Sequence, residues 1–140
     1  MSLGNTKTGQ VLERTVIPAL ETAGYAYKRQ ARIGKKPDGS PYKADLLVAD
    51  PVTGRRIVVS LKWQQVPGTA EQKIPFEVMV LSDLLESGEC NEVYLVLGGT
   101  GWTLKDFYLN RGLSKYMPAA DRVKIVTLEE FIEQANKRQL

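Results

Sequence analysis

Two strand-like segments in the middle of the sequence favour a β-hairpin. Residues 56–62 are rich in β-branched side chains, and residues 43–50 form a second predicted strand, which the turn residues at 51–54 follow. We take Thr53-Gly54 as the two-residue turn between them, because glycine readily adopts the positive φ that such turns require. Counting outward from this turn then places Asp45 opposite Lys62.

Side chains alternate between the two faces of a strand, so this hairpin predicts a shared face for a carboxylate and an ammonium. The residues expected on that face are Asp45, Leu47, Ser60 and Lys62. An ordinary cross-strand ion pair at the margin of a sheet is the alternative, and it would be worth about 0.2–1 kcal/mol. A slip of one residue would move Lys62 to the other face.

Hydrophobic periodicity and turn residues divide the rest of the chain into helices and strands. We predict helices over residues 6–23, 75–85, 103–109 and 128–137, and further strands over residues 25–33, 92–97 and 123–126. This order predicts an α/β fold in which a central mixed β-sheet is flanked by helices. The length of 140 residues suits a single domain over residues 1–140.

The composition excludes several kinds of site. The chain has no histidine, which rules out an imidazole base and hence Ser-His-Asp or Cys-His hydrolysis. A single cysteine, Cys90, can form neither an internal disulfide nor a zinc cluster of cysteine and histidine ligands. A catalytic metal would therefore be held by carboxylates, carbonyls and water, which are ligands that suit Mg²⁺ or Mn²⁺.

Two glutamates are predicted on the apolar faces of their helices. At 100° per residue, Glu13 falls between Ile17 and Leu20 within the apolar stripe of the first helix. Glu77 falls near the middle of the inner face of the helix that begins at Pro75. A buried carboxylate costs several kcal/mol unless it is paired or bound to a metal, so this pattern indicates a metal site. The alternative is that each carboxylate simply complements the dipole at the start of a helix.

Basic residues concentrate around the loop that precedes the hairpin. The net charge is +3 and the pI is about 9.0, which is compatible with a nucleic-acid partner but does not demand one. The basic side chains that we expect to contact a DNA backbone are Arg32, Lys35, Lys36, Lys43 and Lys73. The alternative is a solvated, lysine-rich turn.

The hairpin and the first helix together resemble the PD-(D/E)xK nuclease superfamily. Asp45 matches the acid on the first of two adjacent strands, and Ser60-Leu61-Lys62 occupies the place of the acid-x-Lys motif. The segment from Gly9 to Arg14, with its Glu13-Arg14 pair, is similar to the opening helix of archaeal Holliday-junction resolvases. The resemblance implies a restriction-endonuclease-like core in the order αβββαβ.

Ser60 departs from the family pattern because it stands where the second acid belongs. Some restriction endonucleases have an S-x-K variant, in which the following helix supplies the missing carboxylate. The resemblance then implies that Glu77 fills this role, with Glu71 as the fallback.

The resemblance also implies a role for each candidate residue. Asp45, Glu77 and the Leu61 carbonyl would hold Mg²⁺ or Mn²⁺, and Lys62 would act on the attacking water or on the developing charge. Glu13 would hold a second metal or a water. Gln64 would contact water or phosphate, although a plain polar residue at a strand end is the alternative.

The implied function is metal-dependent DNA endonuclease, restriction-type or resolvase-like, acting as a homodimer with two sites on a two-fold axis. A non-catalytic DNA-binding domain on the same fold is the alternative that Ser60 suggests. A nucleotide-binding domain that uses the glycine-rich loop at residues 98–101 is a third. We expect a cytoplasmic protein, since the first five residues have no signal-peptide character and no apolar run is long enough to span a membrane.

Overall fold

Five strands form one mixed sheet in the computed structural model, which describes residues 3–140 and their side chains from residue 7 onward. The strands are β1 Ala26–Lys35, β2 Pro41–Ala49, β3 Arg56–Trp63, β4 Glu92–Gly98 and β5 Lys124–Thr127, and they lie side by side in chain order. The first three are antiparallel, whereas β3, β4 and β5 are parallel. The predicted mixed α/β sheet is therefore confirmed.

The helices flank this sheet. They are α1 Leu3–Val11, α2 Ile17–Ala23, α3 Ile74–Glu86, α4 Lys105–Leu109 and α5 Leu128–Asn136. A π-helical segment, Leu12–Val16, joins α1 to α2. Short 3₁₀ helices over Thr69–Lys73, Gly112–Lys115 and Pro118–Arg122 were not predicted, because such short pieces have no periodicity that a sequence can display.

Each face of the sheet has its own hydrophobic core. Helices α2 and α5 pack on one face, where Leu20 and Phe131 are fully buried. Helix α3 and the segments that follow β4 pack on the other, where Val78 and Leu81 are fully buried. The apolar periodicity of α3 is therefore satisfied against the sheet, which leaves Glu77 pointing at the same face.

The alternation of side chains along β1 and β2 is interrupted at Gln30 and Asp45, so that the side chains before and after these residues face opposite cores. In β2, Leu46 belongs to the core under α2, whereas Ala44 and Tyr42 belong to the core under α3. Simple alternation would put all three on one face. Gln30, which lies between the β1 partners of Leu46 and Ala44, has a φ of 49°, a left-handed conformation that is rare for a residue in a strand. Asp45 thus lies at the turnover of the β1–β2 hairpin, the point where its side chains exchange faces.

The predicted register of the second hairpin is wrong by two residues. Val48 pairs with Ile57 and Leu46 with Val59, so Asp45 comes level with Ser60 and not with Lys62. The turn is longer than two residues because Asp50 organises it: its N–H donates to the Arg55 carbonyl, and its carboxylate accepts from the backbone N–H of Val52. Because the shift is even, Leu47, Ser60 and Lys62 still share the face predicted for them.

None of the helices in residues 3–140 combines the length and the apolar character that crossing a membrane requires. Met1 and Ser2, on which the predictions of a single domain and of no signal peptide partly depend, lie outside the described residues.

Candidate active site

Asp45 lies where β2 and β3 separate. Its Oδ2 accepts a 2.7 Å hydrogen bond from the Leu61 N–H, which takes the place of a bond between the strands. Burial raises the pKa of the Asp45 carboxyl, and the charge of Glu77 adds to this effect, while the Leu61 N–H and the Lys62 ammonium oppose it. Asp45 is therefore a half-buried carboxylate that lies in the field of a second one.

Glu77 reaches the same site from the first turns of α3. Its Oε2 accepts hydrogen bonds from the Tyr42 hydroxyl at 2.6 Å and from the Ser60 hydroxyl at 2.7 Å. Its Oε1 lies 3.8 Å from the Lys62 Nζ, and the side chain is 13% exposed. The predicted inward position of Glu77 is confirmed, and Ser60 is its direct hydrogen-bond donor.

These side chains line one open cleft of about 380 Å³. Asp45, Lys62 and Glu77 form its chemical centre, and Lys36 and Lys43 lie along its wall. A second cleft of about 460 Å³, lined by Thr8, Gly9, Gln30, Lys43 and Asp45, meets the first at Lys43 and Asp45. The two clefts therefore form one continuous surface that runs past Asp45.

The donors in the cleft fit a divalent cation. Mg²⁺ is commonly held by one or two carboxylates while it keeps several waters, and Asp45 and Glu77 supply two carboxylates here. The N–H and C=O of one strand residue point to the same edge of the strand, so the Leu61 carbonyl faces the side on which Asp45 lies. Within residues 3–140, no three acidic or cysteine side chains converge on a common point, so water would complete the ligand set.

The predicted inner-face position of Glu13 is wrong. Its side chain is 61% exposed and pairs with the Arg29 guanidinium at 3.0 Å, outside both clefts. Glu13 lies within the π-helical segment Leu12–Val16, in which each residue turns by less than 100°. The helical-wheel angle used for the prediction does not apply there, and the wider turn moves Glu13 out of the apolar stripe.

Gln64 and Glu71 also lie outside the cleft, where each has a structural role. Strand β3 ends at Trp63, and Gln64 is buried with its Nε2 donating to the Gly101 carbonyl at 2.8 Å and to Glu71 at 3.2 Å. The Glu71 carboxylate also accepts the backbone N–H groups of Thr103 and Leu104. The carboxylate of Glu71, the predicted fallback ligand, is thus fully hydrogen-bonded within the fold. Gln64 follows the end of β3 and does not share the face of Lys62.

The five predicted DNA-contacting residues are all exposed to solvent, and two of them line the first cleft. Lys36 and Lys43 line the first cleft, and Arg32 is the register partner of Lys43 on β1. Lys35 ends β1 and lines a separate pocket near the C-terminal end of α3, whereas Lys73 lies about one helical turn before Glu77. In the described part of the chain, none of the five pairs with an acidic side chain.

A family comparison agrees with this arrangement. The family model described as PD-(D/E)XK nuclease superfamily domain matches residues 4–139, which is nearly the whole chain. The chain belongs to the PD-(D/E)XK nuclease superfamily. The resemblance seen in the first helix and the hairpin is therefore confirmed at the level of the superfamily. A search of curated proteins found no match.

Among solved structures, this PD-(D/E)XK domain is similar to the crystal structure of a protein of unknown function, AF1548. The TM-score is 0.52 and the sequence identity 12%, and the match covers 87% of this chain and 63% of that one. At this identity the likeness concerns the fold alone. The domain spans less than two thirds of the length of the chain that it matches.

Close packing accounts for the glycine-rich loop of this PD-(D/E)XK domain. A Cβ atom on Gly99 would lie 2.4 Å from the Gln64 carbonyl oxygen, and one on Gly101 would lie 2.5 Å from the Val66 backbone. These glycines let two loops approach each other, which removes the reason for assigning the loop to phosphate binding.

Sequence reasoning did not find Tyr42. On a regularly alternating strand, Tyr42 and Asp45 lie on opposite faces, so the pattern predicts that they are apart. The turnover at Asp45 is what brings the Tyr42 hydroxyl to the Glu77 carboxylate. The only local signal is the position of Tyr42 three residues before the candidate acid, which by itself predicts nothing.

Proposed function

We propose that this chain is a metal-dependent endodeoxyribonuclease that hydrolyses phosphodiester bonds, of the restriction or resolvase type. The observation that carries the proposal is the meeting of Asp45, Lys62 and Glu77 in one open cleft of a chain from a nuclease superfamily. The exposed basic side chains beside the cleft favour DNA as the substrate.

The two carboxylates have the role of metal ligands in this proposal. Asp45 and Glu77, together with the Leu61 carbonyl, would hold Mg²⁺ or Mn²⁺. A bound divalent ion polarises a phosphodiester and lowers the pKa of a water molecule next to it. Holding a cation also offsets the cost of placing two partly buried carboxylates side by side.

Lys62 has the role of the proton-handling or charge-stabilising group. Its Nζ lies 3.8 Å from Glu77 Oε1, which is longer than a close ion pair, and 32% of its side chain is exposed to the cleft. The ammonium therefore retains donors for a water or a phosphate oxygen. In this form Lys62 would orient the attacking water or stabilise the charge that develops on phosphorus-bound oxygens, whereas deprotonating that water would require its neutral amine.

The basic residues would bind the backbone and set the path of the DNA. Lys43 lines both clefts, and Arg32 lies beside it on the neighbouring strand. Lys36, in the wall of the first cleft, would add phosphate contacts, and Lys35 and Lys73 would extend them away from the carboxylates. We further propose a homodimer, because two active sites on a two-fold axis suit the cutting of two strands, and sedimentation analysis of the purified protein would test that state.

A cleavage assay tests the activity. Wild-type protein and the variants Asp45→Ala, Lys62→Ala and Glu77→Ala would be incubated with Mg²⁺ or Mn²⁺ and four substrates: linear duplex, supercoiled plasmid, single strands and a four-way junction. We expect the wild type to cut at least one substrate and each variant to lose about 100-fold or more in rate, as removal of a catalytic group typically does. The preferred substrate would separate restriction-type from resolvase-like activity.

Glu13→Ala is the matched control, because it removes an exposed carboxylate that lies outside the cleft. We expect it to cut at the wild-type rate. DNA binding without cleavage of any substrate would refute the nuclease proposal. That result would instead support a non-catalytic DNA-binding domain, the function to which Ser60 in the place of the second acid points.

A further inference from the structure

We propose that Tyr42 and Ser60 form a two-hydroxyl clamp that fixes Glu77 for metal binding; this inference rests on the proposed function. In this proposal Ser60 has a role in the site, although it stands where the family pattern has its second acid. Tyr42 and Ser60 are positioning residues, since they act through Glu77.

Both hydroxyls of the clamp donate to the same carboxylate oxygen. The Tyr42 hydroxyl lies 2.6 Å and the Ser60 hydroxyl 2.7 Å from Glu77 Oε2, distances typical of strong bonds to a charged acceptor. Tyr42 is 5% exposed and Ser60 is 1% exposed. The two donors therefore hold one oxygen inside the protein, and the other, Oε1, is left on the side of Lys62.

A clamp has a physical reason here, because Glu77 and Asp45 stand on different elements. Glu77 extends from α3, and its three side-chain torsions must be fixed before its carboxylate can act together with the Asp45 carboxylate on β2. A phenol keeps its proton at neutral pH, so the Tyr42 hydroxyl is available as a donor to Glu77. The partners of a ligand commonly fix its orientation in this way.

The clamp also explains why position 60 carries a hydroxyl. A carboxylate at position 60 would lie next to Glu77 Oε2, where two like charges repel each other and no donor would remain. Serine is the smallest side chain that can donate to Glu77 from this buried position. A carboxylate from Glu77 and a carboxylate at position 60 are therefore alternatives. This structure has the first of them, together with a hydroxyl donor at position 60.

The experiment measures Mn²⁺ binding by isothermal titration calorimetry, without DNA. Tyr42→Phe removes only a hydroxyl, and the pair Ser60→Thr and Ser60→Val differ from each other only by a hydroxyl against a methyl group. We expect the Mn²⁺ dissociation constant to rise about tenfold in Tyr42→Phe and in Ser60→Val, while Ser60→Thr stays close to wild type.

Tyr108→Phe is the matched control for Tyr42→Phe. Tyr108 is also a buried tyrosine with one hydroxyl hydrogen bond, to the Glu71 carbonyl at 3.1 Å, but it lies outside the cleft. We expect its Mn²⁺ affinity to equal that of wild type, whatever happens to its melting temperature. Equal Mn²⁺ affinities for wild type, Tyr42→Phe and Ser60→Val would overturn the clamp, and so would a wild type that binds no Mn²⁺.

Cleavage rates against Mn²⁺ concentration give a second readout. We expect clamp variants to need about tenfold more Mn²⁺ for half-maximal rate and to recover most of the wild-type rate at saturation. A loss that no Mn²⁺ concentration restores would contradict a positioning role. The two proposals fail separately: weaker Mn²⁺ binding in the variants of a protein that cuts no DNA would sustain the clamp and refute the nuclease.

Discussion

Asp45 stands at the point where the hairpin turns over, and its carboxylate is held there by a backbone N–H with Glu77 close by. Burial is the main cause that raises the pKa of this carboxyl, so its charged form is disfavoured in the folded protein. A neutral side chain of the same shape would avoid that cost. Functional sites often keep a group that lowers stability in this way, because a ligand recovers the loss.

Asp45→Asn should therefore stabilise the metal-free protein, by about 1 kcal/mol, while it abolishes Mn²⁺ binding. The amide oxygen can still accept from the Leu61 N–H, and removing the charge ends its burial cost and its repulsion with Glu77, which outweigh the lost attraction to Lys62. Urea unfolding in a chelator and in saturating Mn²⁺ would measure both effects, with Mn²⁺ raising the stability of the wild type alone. Asp83→Asn, an exposed change on α3, is the control. A variant less stable than wild type in the chelator would contradict this reasoning.

At the scale of elements, Glu71 joins the loop after β3 to the start of α4. Its carboxylate accepts from the backbone N–H groups of Thr103 and Leu104 and from the Thr103 hydroxyl, at 2.5 to 2.9 Å. Burial alone would raise the pKa of Glu71, but these donors outweigh it and hold the pKa below its ordinary value. The charged carboxylate therefore stabilises the fold and keeps the loop that leads into α3 in place.

Glu71→Gln should cost about 2 kcal/mol or more of unfolding free energy at neutral pH, because an amide cannot satisfy the same set of donors. Since the folded-state pKa lies below the ordinary value of 4.5, the Glu71 contribution is complete above that pH and is lost as the pH falls through the folded-state pKa. Urea unfolding across this acidic range should show the difference between wild type and variant shrinking. A constant difference at every pH would show that the charge is not what stabilises the junction.

At the scale of the whole molecule, the β1–β2 hairpin concentrates exposed basic side chains beside the cleft. Arg32 and Lys43 face each other across the two strands, and like charges in that arrangement destabilise a hairpin. An anion that spans the hairpin would relieve this repulsion. The distribution of charge therefore favours a DNA backbone that crosses the clefts at Lys43, more than the modest net charge of +3 indicates.

Arg32→Gln and Lys43→Gln should each lower DNA affinity and reduce the slope of log affinity against log salt concentration by about 0.9 for duplex DNA. The reason is that each phosphate contact removed by a substitution means that about one fewer counterion is released on binding. Fluorescence anisotropy over a salt series, in a chelator to prevent cleavage, would give the slopes. Lys115→Gln, on a 3₁₀ helix that lines neither cleft, should leave the slope unchanged. Unchanged slopes for the two hairpin variants would place the DNA elsewhere.

The order of elements and the family motif were within reach of the sequence because they depend on local properties. Periodicity located α3 to within one residue at each end, and it placed Glu77 on the inner face of that helix. The hairpin indicated that Asp45 and Lys62 belong to one site, and a register error of two residues did no harm because side chains alternate with a period of two.

What the tertiary structure decided concerns places where the backbone leaves its regular geometry. The π-helical turn moved Glu13 to the surface, and the end of β3 at Trp63 turned Gln64 toward Glu71. The turnover at Gln30 and Asp45 brought Tyr42 to Glu77. Periodic patterns assume a constant rotation per residue, so they determined which elements form and which side chains face the sheet. Contacts that depend on a change in that rotation are set by packing between segments distant in sequence, and only the folded chain specifies them.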